Sequence, residues 1–316
     1  MIELKHVTKR YGAKRAVDDI SFTINKGEVL GFLGRNGAGK STTMNMITGY
    51  ISASEGQILL DGMDVLEQPR EVKRRIGYLP ELPPLYMDMT VEEYLSFCCD
   101  IKDVRKKSQK AHLDDIYNLV KITDVRHRLI KNLSKGYKQR VGFAQALVGN
   151  PDVIILDEPT VGLDPKQIIE IRRLITGLGQ NHTVILSSHI LHEVADVCDR
   201  VVIIDQGKLV AQDSLEHLAK GVGEGIRMEV RIIGPEKPVS RLLQEVPGVK
   251  LVETIGQKEE GSTDYLVESD TQTDVRRPLV NAVLSAGYSL LMLKPMDVTL
   301  EDIFLQLTSS EEKRGY

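Results

Sequence analysis

The sequence contains no tryptophan, five phenylalanines and only three cysteines among its 316 residues. The cysteines are Cys98, Cys99 and Cys198, an odd number without C-x-x-C spacing, which excludes a disulfide framework and a cysteine-based zinc site. Long apolar runs are also missing. The longest, such as residues 153–156 and 201–204, have the length of a strand, far below the roughly 20 residues of a membrane span. We therefore expect any membrane role to depend on a partner.

An excess of positive charge is absent as well. The formal net charge is −4, so the chain has no overall attraction to nucleic acid. Met1 leads directly into an alternating strand pattern over residues 2–7, without the basic and then apolar leader of a secreted protein, which predicts a cytoplasmic location. The length suits two ordinary domains.

The stretch that organises the chain is Gly34–Ser41, which has the spacing G-x-x-x-x-G-K-[ST] between an apolar strand pattern (29–33) and a helix pattern (42–47). Glycines let the backbone turn so that its N–H groups converge on phosphate oxygens at the positive end of the helix. Lys40 would reach the terminal phosphates, and the Ser41 hydroxyl would hold Mg²⁺. The loop predicts nucleoside triphosphate binding through Gly34, Arg35, Asn36, Gly37, Ala38, Gly39, Lys40, Ser41 and Thr42.

Two carboxylates follow a second apolar run. Residues 153–156 are β-branched and do not alternate, as in a strand covered on both faces of a parallel sheet, and Asp157 and Glu158 come next. The carboxyl ends of such strands face the ligand crevice. Asp157 fits a Mg²⁺ contact through water, and Glu158 fits the group that orients or deprotonates attacking water. Adjacent acids also cap helices, but the upstream phosphate loop favours catalysis.

The remaining segments outline the architecture. The first 25 residues predict a small antiparallel layer. Residues 82–131 predict a mostly helical insertion, opened by the capping box Thr90–Glu93. Ser134 is a good N-cap for the next helix, whose start could serve as a plain cap or offer N–H groups to an anion. The basic stretches 69–75 and 102–110 are interpreted as solvated surfaces.

Taken in order, these motifs resemble the ATP-binding cassette (ABC) ATPases over roughly residues 1 to 213. Gly34–Ser41 matches the Walker A motif, 133–137 resembles the cassette signature, and 153–158 resembles Walker B with its catalytic glutamate. The residues that the resemblance then assigns are Asp164 as the D-loop acid, His189 as the switch histidine, Tyr11 as the aromatic that stacks on adenine, and Glu81 at the Q-loop position. The sequence of residues 133–140 and the presence of a C-terminal domain most resemble the drug, polysaccharide and gliding-motility exporter branch of this family.

Two departures from the family pattern concern the site. The signature carries Lys135 and Tyr137 where the common form has glycine and glutamine. The backbone role of Ser134 and Gly136 carries over, whereas the resemblance does not assign the glutamine contact to Tyr137. Glu81 stands where the family has glutamine, and an ionised carboxylate accepts hydrogen bonds without donating them. Glu81 could still ligate Mg²⁺ or position water.

The resemblance implies an α/β cassette with a mostly parallel sheet, an antiparallel layer and a helical lobe. It implies an ATPase that converts ATP and water to ADP and phosphate, with Mg²⁺, in a head-to-tail pair formed with a second copy or a paralogous cassette. Each site would take Walker A, Walker B, Glu81 and His189 from one copy and Ser134 and Gly136 from the other. Export would run through a separately encoded membrane permease docked around Leu82–Tyr86, which holds the chain on the inner membrane face, with no nucleic-acid partner.

The domain prediction is a cassette over 1–220 with its helical lobe at about 82–150, a glycine-rich linker at 221–225, and a second domain over 226–316. The order of patterns in the second domain is βαββαβ, which is the ferredoxin-like α+β order, followed by a helix over 300–307. This domain could stabilise the protein or promote dimers, or it could sense a ligand.

The sequence also bears on three other functions. A soluble ABC ATPase acting on ribosomes or DNA usually carries two cassettes, coiled coils or zinc modules, and none is evident in this sequence. A GTPase requires N-K-x-D, whereas residues 25–28 read N-K-G-E. A binding subunit with little hydrolysis remains an alternative because of Glu81.

Overall fold

The computed structural model describes residues 1–222, 225–270, 274–296 and 300–304. The chain divides into two compact units, Met1–Leu215 and Glu216–Gln306, and each is described by itself. No helix within the described ranges is long and apolar enough to span a membrane.

The first unit contains two sheets and a set of helices. Its strands are β1 (Ile2–Tyr11), β2 (Lys14–Ile24), β3 (Val29–Leu33), β4 (Glu55–Leu60), β5 (Met63–Asp64), β6 (Ile76–Leu79), β7 (Val153–Asp157), β8 (Thr183–Ser188), β9 (Arg200–Asp205) and β10 (Lys208–Asp213). Its helices are α1 (Lys40–Ile47), α2 (Pro69–Arg75), α3 (Val91–Ile101), α4 (Lys106–Leu119), α5 (Lys135–Leu147), α6 (Pro165–Gly179) and α7 (Leu191–Ala195). Helix α8 (Leu215–Val222) begins at the last residue of this unit and otherwise belongs to the second unit.

The six-stranded sheet has the order β10-β9-β3-β8-β7-β6, and all its pairs are parallel except β10 with β9. Every residue of β3, β7 and β8 is buried. These strands are the apolar runs without alternation, so the sequence pattern predicted a parallel sheet covered on both faces. The carboxyl ends of β3, β7 and β8 therefore lie side by side at one edge.

A second sheet of order β2-β1-β4-β5 is antiparallel and supplies the layer predicted at the start of the chain. A two-residue turn joins β1 to β2 and sets Tyr11 opposite Lys14. Asp61 and Gly62 both have positive φ, 46° and 80°, in the tight hairpin between β4 and β5. The apolar faces of both sheets enter one hydrophobic core with α1.

The helical lobe follows β6. The predicted capping box is present, because the Thr90 side chain accepts from the Glu93 backbone and the Glu93 carboxylate accepts from the Thr90 backbone. The second helix of the lobe, α4, covers residues 106–119 within the predicted helical insertion. Helix α5 begins after Ser134 and packs closely on β6, since a Cβ atom at Gly77 would lie 1.9 Å from the Ala146 carbonyl oxygen.

The second unit has the predicted order βαββαβ. Its elements are β11 (Gly225–Ile233), α9 (Glu236–Gln244), β12 (Val249–Gly256), β13 (Ser262–Asp270), α10 (Arg276–Ser285) and β14 (Ser289–Met296), and residues 300–304 are helical. The sheet is antiparallel with the order β12-β13-β11-β14, and α9 and α10 cover one face over a separate core. At the predicted linker, α8 runs through Val222 and β11 begins at Gly225, while residues 223–224 lie outside the described residues, as do 305–307 of the last predicted helix.

Candidate functional site

The phosphate loop occupies the turn between β3 and α1. Gly37 and Gly39 have φ of 82° and 111°, where a side chain would strain the backbone. A Cβ atom at Gly39 would also lie 2.6 Å from the carbonyl oxygen of Ala16. The buried Lys40 ammonium donates to the Gly34 carbonyl at 2.8 Å, inside the curve of its own loop. The loop thus curves around one cation, the Lys40 ammonium.

The two acids at the end of β7 differ in their surroundings. Asp157 is 2% exposed and accepts a hydrogen bond from the Ser187 hydroxyl on the neighbouring strand β8. Glu158 has a left-handed φ of 48°, which turns it away from the strand direction, and its N–H donates to the Ser187 carbonyl at 3.1 Å. A non-glycine residue in this conformation is typical of a functional site.

The Glu158 carboxylate lies between two cationic or polar partners. Its Oε1 is 3.4 Å from Lys40 Nζ, and its Oε2 is 2.8 Å from His189 Nδ1. The carboxylate is buried, whereas the histidine side chain is 43% exposed and follows the end of β8. The arrangement places a base beside both the phosphate loop and a second group that could hold a phosphate oxygen or a water.

A cavity of about 560 Å³ opens over this arrangement. It brings together predicted residues from five separate parts of the sequence. The predicted residues that line it are Tyr11, Asn36, Gly37, Gly39, Lys40, Ser41, Thr42, Glu81, Glu158 and His189. Tyr11 is half exposed at its mouth, where the Lys9 ammonium lies 5.3 Å from the ring centre. The cavity is open at the aromatic end and closed at the phosphate loop.

The oxygen donors suited to Mg²⁺ stand at the boundary with a second cavity of about 640 Å³, which Ser41, Glu81 and Asp157 all line. Hydroxyl and carboxylate oxygens are the ligands that Mg²⁺ prefers, and it usually takes only one or two carboxylates from a protein beside substrate phosphates. The described residues contain no cluster of three or more His, Cys, Asp or Glu side chains that would hold a metal without phosphates. The donor set therefore fits Mg²⁺ bound together with a nucleotide.

The signature residues lie outside the lining of the main cavity. Ser134 caps α5, its hydroxyl accepting from the Tyr137 N–H at 3.4 Å. A Cβ atom at Gly136 would lie 2.5 Å from the Gln167 amide nitrogen, so only glycine fits there unless that side chain moves. The Tyr137 hydroxyl donates to Asp124 at 2.9 Å, a bond that raises the pKa of Tyr137. Tyr137 is thus engaged within its own lobe.

Asp164 also lies outside the lining. It is the N-cap of α6, where its carboxylate accepts from the Gln167 N–H at 2.9 Å and Pro165 occupies the first helical position. Within one chain its observed contact is therefore a helix cap.

Sequence reasoning did not identify four contributors. Lys14, Ala16 and Val161 line the cavity, and Lys14 reaches it because the turn after Tyr11 brings it opposite that residue. The two-residue turn was the available signal for Lys14. The fourth is Glu193, whose carboxylate accepts a hydrogen bond from the Thr160 hydroxyl near the site. It is 4% exposed, and no sequence motif marks it.

Comparison with known proteins gives consistent results. The ABC transporter family profile matches residues 17–161. The bacitracin transport ATP-binding protein BcrA of Bacillus licheniformis is 40% identical over 222 residues, which cover 70% of this chain and 72% of that protein. The linearmycin resistance ATP-binding protein LnrL of Bacillus subtilis is 31% identical over 313 residues, 98% of both chains.

Solved structures agree with this result. The dimeric post-hydrolysis state of the ATP-binding cassette MJ0796, bound to ADP and Pi, superposes with a TM-score of 0.63 at 25% identity, covering 68% of this chain and 99% of that one.

Proposed function

The chain belongs to the ABC transporter ATPase family, and from this premise we propose that two copies close head to tail around two Mg-ATP to drive export through a separate membrane permease. The chain is an ATP-hydrolysing, nucleotide-binding subunit. The observation that carries the composite site is the split of the predicted residues. Lys40, Glu158 and His189 share one cavity in a single chain, whereas Ser134 and Gly136 lie outside it. A second copy would supply them.

The roles within one chain follow from the contacts. Lys40 is already held at the phosphate loop, so it would meet the terminal phosphates of ATP and leave Glu158. The freed carboxylate would accept a proton from the attacking water, while His189 keeps it oriented through the 2.8 Å contact. Ser41, Asp157 and Glu81 would hold Mg²⁺, which would supply positive charge to offset the charge on the phosphates. Tyr11 would stack on the adenine at the open end of the cavity.

The surface suited to the permease lies on the helical lobe. Leu82 is 81% exposed, and the Tyr86 and Phe97 rings lie 5.5 Å apart over a groove of about 250 Å³ between α3 and the chain after Glu81. Exposed aromatic clusters of this kind mark protein interaction sites. Pro84, the first residue along the chain that lines the groove, lies three residues after Glu81, so movement at the nucleotide site would reach a docked partner through a short segment.

The names of the relatives support export over the alternatives. BcrA is named for bacitracin transport and LnrL for linearmycin resistance, and LnrL matches nearly the whole chain, including the C-terminal unit. Neither name points to ribosomes or DNA.

The composite site can be tested by mixing two inactive variants. Lys40→Ala removes the phosphate contact, and Ser134→Arg obstructs the signature helix. Each alone should lose nearly all hydrolysis. In a mixed dimer one site combines an intact phosphate loop with an intact signature, so an equimolar mixture should regain a substantial part of the activity. If mixing restores nothing although the variants associate, each site is complete within one chain.

The membrane partner requires its own test. The full chain purified from detergent-solubilised membranes should bring down an integral membrane protein, and substitution of Tyr86 and Phe97 by alanine should abolish this without changing hydrolysis by the free chain. Recovery with ribosomes or DNA would contradict the transport assignment.

A further inference from the structure

Two basic segments that the ATPase does not use lie side by side beside the permease groove. Helix α2 and the chain from Lys102 into α4 are linked through Asp103, which accepts from Arg74 and lies 3.6 Å from Arg70. On the other side, the Lys102 ammonium donates to the carbonyls of Lys73 and Ile76 at 2.7 and 2.6 Å. These contacts join the two segments into one surface.

This basic surface is defined by seven residues, Arg70, Lys73, Arg74, Arg105, Lys106, Lys107 and Lys110, all of them exposed. Residues 69–75 carry four cations and one carboxylate, and residues 100–110 carry five cations and two carboxylates. Each segment therefore has a net charge of +3 in a chain whose total is −4. Positive charge is thus concentrated in these two adjoining segments.

Several of these cations are not neutralised. Lys106 pairs with Asp100 at 2.5 Å, but within the described part of the chain no carboxylate lies within 4.0 Å of Arg105, Lys107 or Lys110. Unpaired charges on long side chains at a helix start are not explained by the fold, because α4 gains nothing from cations at its N-terminus. A ligand that carries several separate negative charges would explain these unpaired cations.

Apolar side chains border the basic surface. Ile101, directly before Lys102, is 63% exposed, and Phe97 lies one helical turn earlier on α3. Basic residues beside exposed aromatic and aliphatic residues are typical of proteins that lie on an anionic bilayer surface. We propose that the basic surface binds the headgroups of anionic phospholipids next to the docked permease. This inference rests on the proposed function only for its orientation toward a membrane.

Anionic lipid fits the surface better than an acidic protein segment. Folded acidic partners are recognised through fixed, often bidentate arginine contacts. Here the unpaired cations are Arg105, Lys107 and Lys110, one arginine and two lysines at the start of α4, and no carboxylate among the described residues holds them in a fixed position. Such a set matches the mobile headgroups of an anionic bilayer. Each cation near the bilayer surface strengthens the binding constant about fivefold at room temperature.

The test uses the full chain and sedimentation with vesicles, of phosphatidylcholine alone or of phosphatidylcholine with phosphatidylglycerol. Binding should be confined to the anionic vesicles and should weaken as salt rises. The variant Arg105→Glu, Lys107→Glu, Lys110→Glu should bind at least about 100-fold more weakly. A matched control, Lys237→Glu, Arg241→Glu, Lys250→Glu, makes the same charge change at exposed positions of the second unit and should retain binding.

Equal binding to neutral vesicles, or equal binding by both triple variants, would overturn the proposal. So would absence of vesicle binding together with capture of polyglutamate, which would assign the surface to an acidic protein. Hydrolysis by the free chain should be unchanged in both variants and reports that they are folded. Because the mixed-dimer experiment contains no lipid, its failure would bear on the proposed ATPase arrangement alone.

Discussion

The hydroxyl of Thr160 donates a 2.5 Å hydrogen bond to the buried carboxylate of Glu193. Thr160 follows Glu158, the proposed base, by two residues, and Glu193 lies on α7, four residues after His189. The other Glu193 oxygen is 3.9 Å from the Arg172 guanidinium, which also pairs with Asp196 at 2.6 Å. The bond therefore ties the segment that carries the base to the segment that carries the histidine.

Loss of this bond should reduce catalysis more than nucleotide binding. In Thr160→Val the Glu193 carboxylate stays buried without its donor, and Glu158 and His189 lose their common support. We expect kcat to fall about tenfold or more, because small displacements of reacting groups are costly, with KM for ATP little changed. Thr160→Ser keeps the hydroxyl and should retain activity. Steady-state kinetics of the wild type and the two variants test this prediction. A kcat of Thr160→Val equal to that of the wild type would show that the bond has only a structural role.

Glu158→Gln should separate binding from hydrolysis. The amide cannot take a proton from water, so turnover should fall by at least about 100-fold while ATP affinity is kept. In the proposed head-to-tail pair hydrolysis would open the dimer, so the variant should accumulate as a dimer with ATP, visible by size-exclusion chromatography. Wild-type chain with ADP should elute as a monomer in the same run. Continued hydrolysis by the glutamine variant would remove Glu158 from the role of base.

Tyr11 should contribute to adenine affinity through its ring and not its hydroxyl. A stacked base is worth about 1–3 kcal/mol, so Tyr11→Ala should weaken ATP binding by roughly 5- to 100-fold. Tyr11→Phe keeps the ring beneath the Lys9 ammonium and should bind as the wild type does. Competition against a fluorescent ATP analogue measures both. If the alanine and phenylalanine variants bind equally well, the adenine lies elsewhere.

The parts of the site that the sequence predicted share one property: their position follows from local structure. Gly34–Ser41 fixes its own backbone through glycines, and a buried strand that ends at Asp157 must open at the sheet edge where β3 also ends. Tyr11 and His189 have no such local signal, and only the family resemblance assigned them.

Apart from Lys14, which a local turn places at the cavity, the contacts that escaped prediction join distant segments. Glu193 meets Thr160 across 33 residues, and Tyr137 is engaged by Asp124 from an earlier part of the lobe. No periodicity or spacing encodes such pairs. The β11–β14 unit shows the opposite case, because hydrophobic alternation and turn residues determine its order without any motif.

The three thiols should resist modification in the native protein. Burial raises the pKa of Cys98 and of Cys99 to about 11, and burial also raises the pKa of Cys198. Since the thiolate is the reactive form, we expect slow reaction with a disulfide reagent near neutral pH and a rate that rises toward alkaline pH. The chain in denaturant should react at all three thiols at once and serves as the control. Rapid labelling of native Cys98 or Cys99 would mean that α3 opens readily.

The second unit should lose stability in acid through one buried pair. Asp264 is fully buried on β13, and the Arg231 guanidinium beside it, 2.6 Å away, lowers the pKa of its carboxyl. A carboxylate with a lowered folded pKa contributes stability that is complete above its unfolded pKa of about 3.9 and is lost as pH falls through the folded value. We therefore expect the hydrogen-exchange protection of β11 and β13 in the full chain, taken relative to the intrinsic amide exchange rate at each pH, to fall below about pH 4.

Asp264→Asn provides the decisive comparison, because it leaves Arg231 without its buried charge partner. The variant should exchange faster in β11 and β13 already at neutral pH, and acid should then add little, since the titrating group is gone. Asp274→Asn removes an exposed carboxylate paired with Arg276 and should behave as the wild type, because solvent-exposed pairs contribute little. If Asp264→Asn keeps the full acid response, another carboxylate controls the stability of this unit.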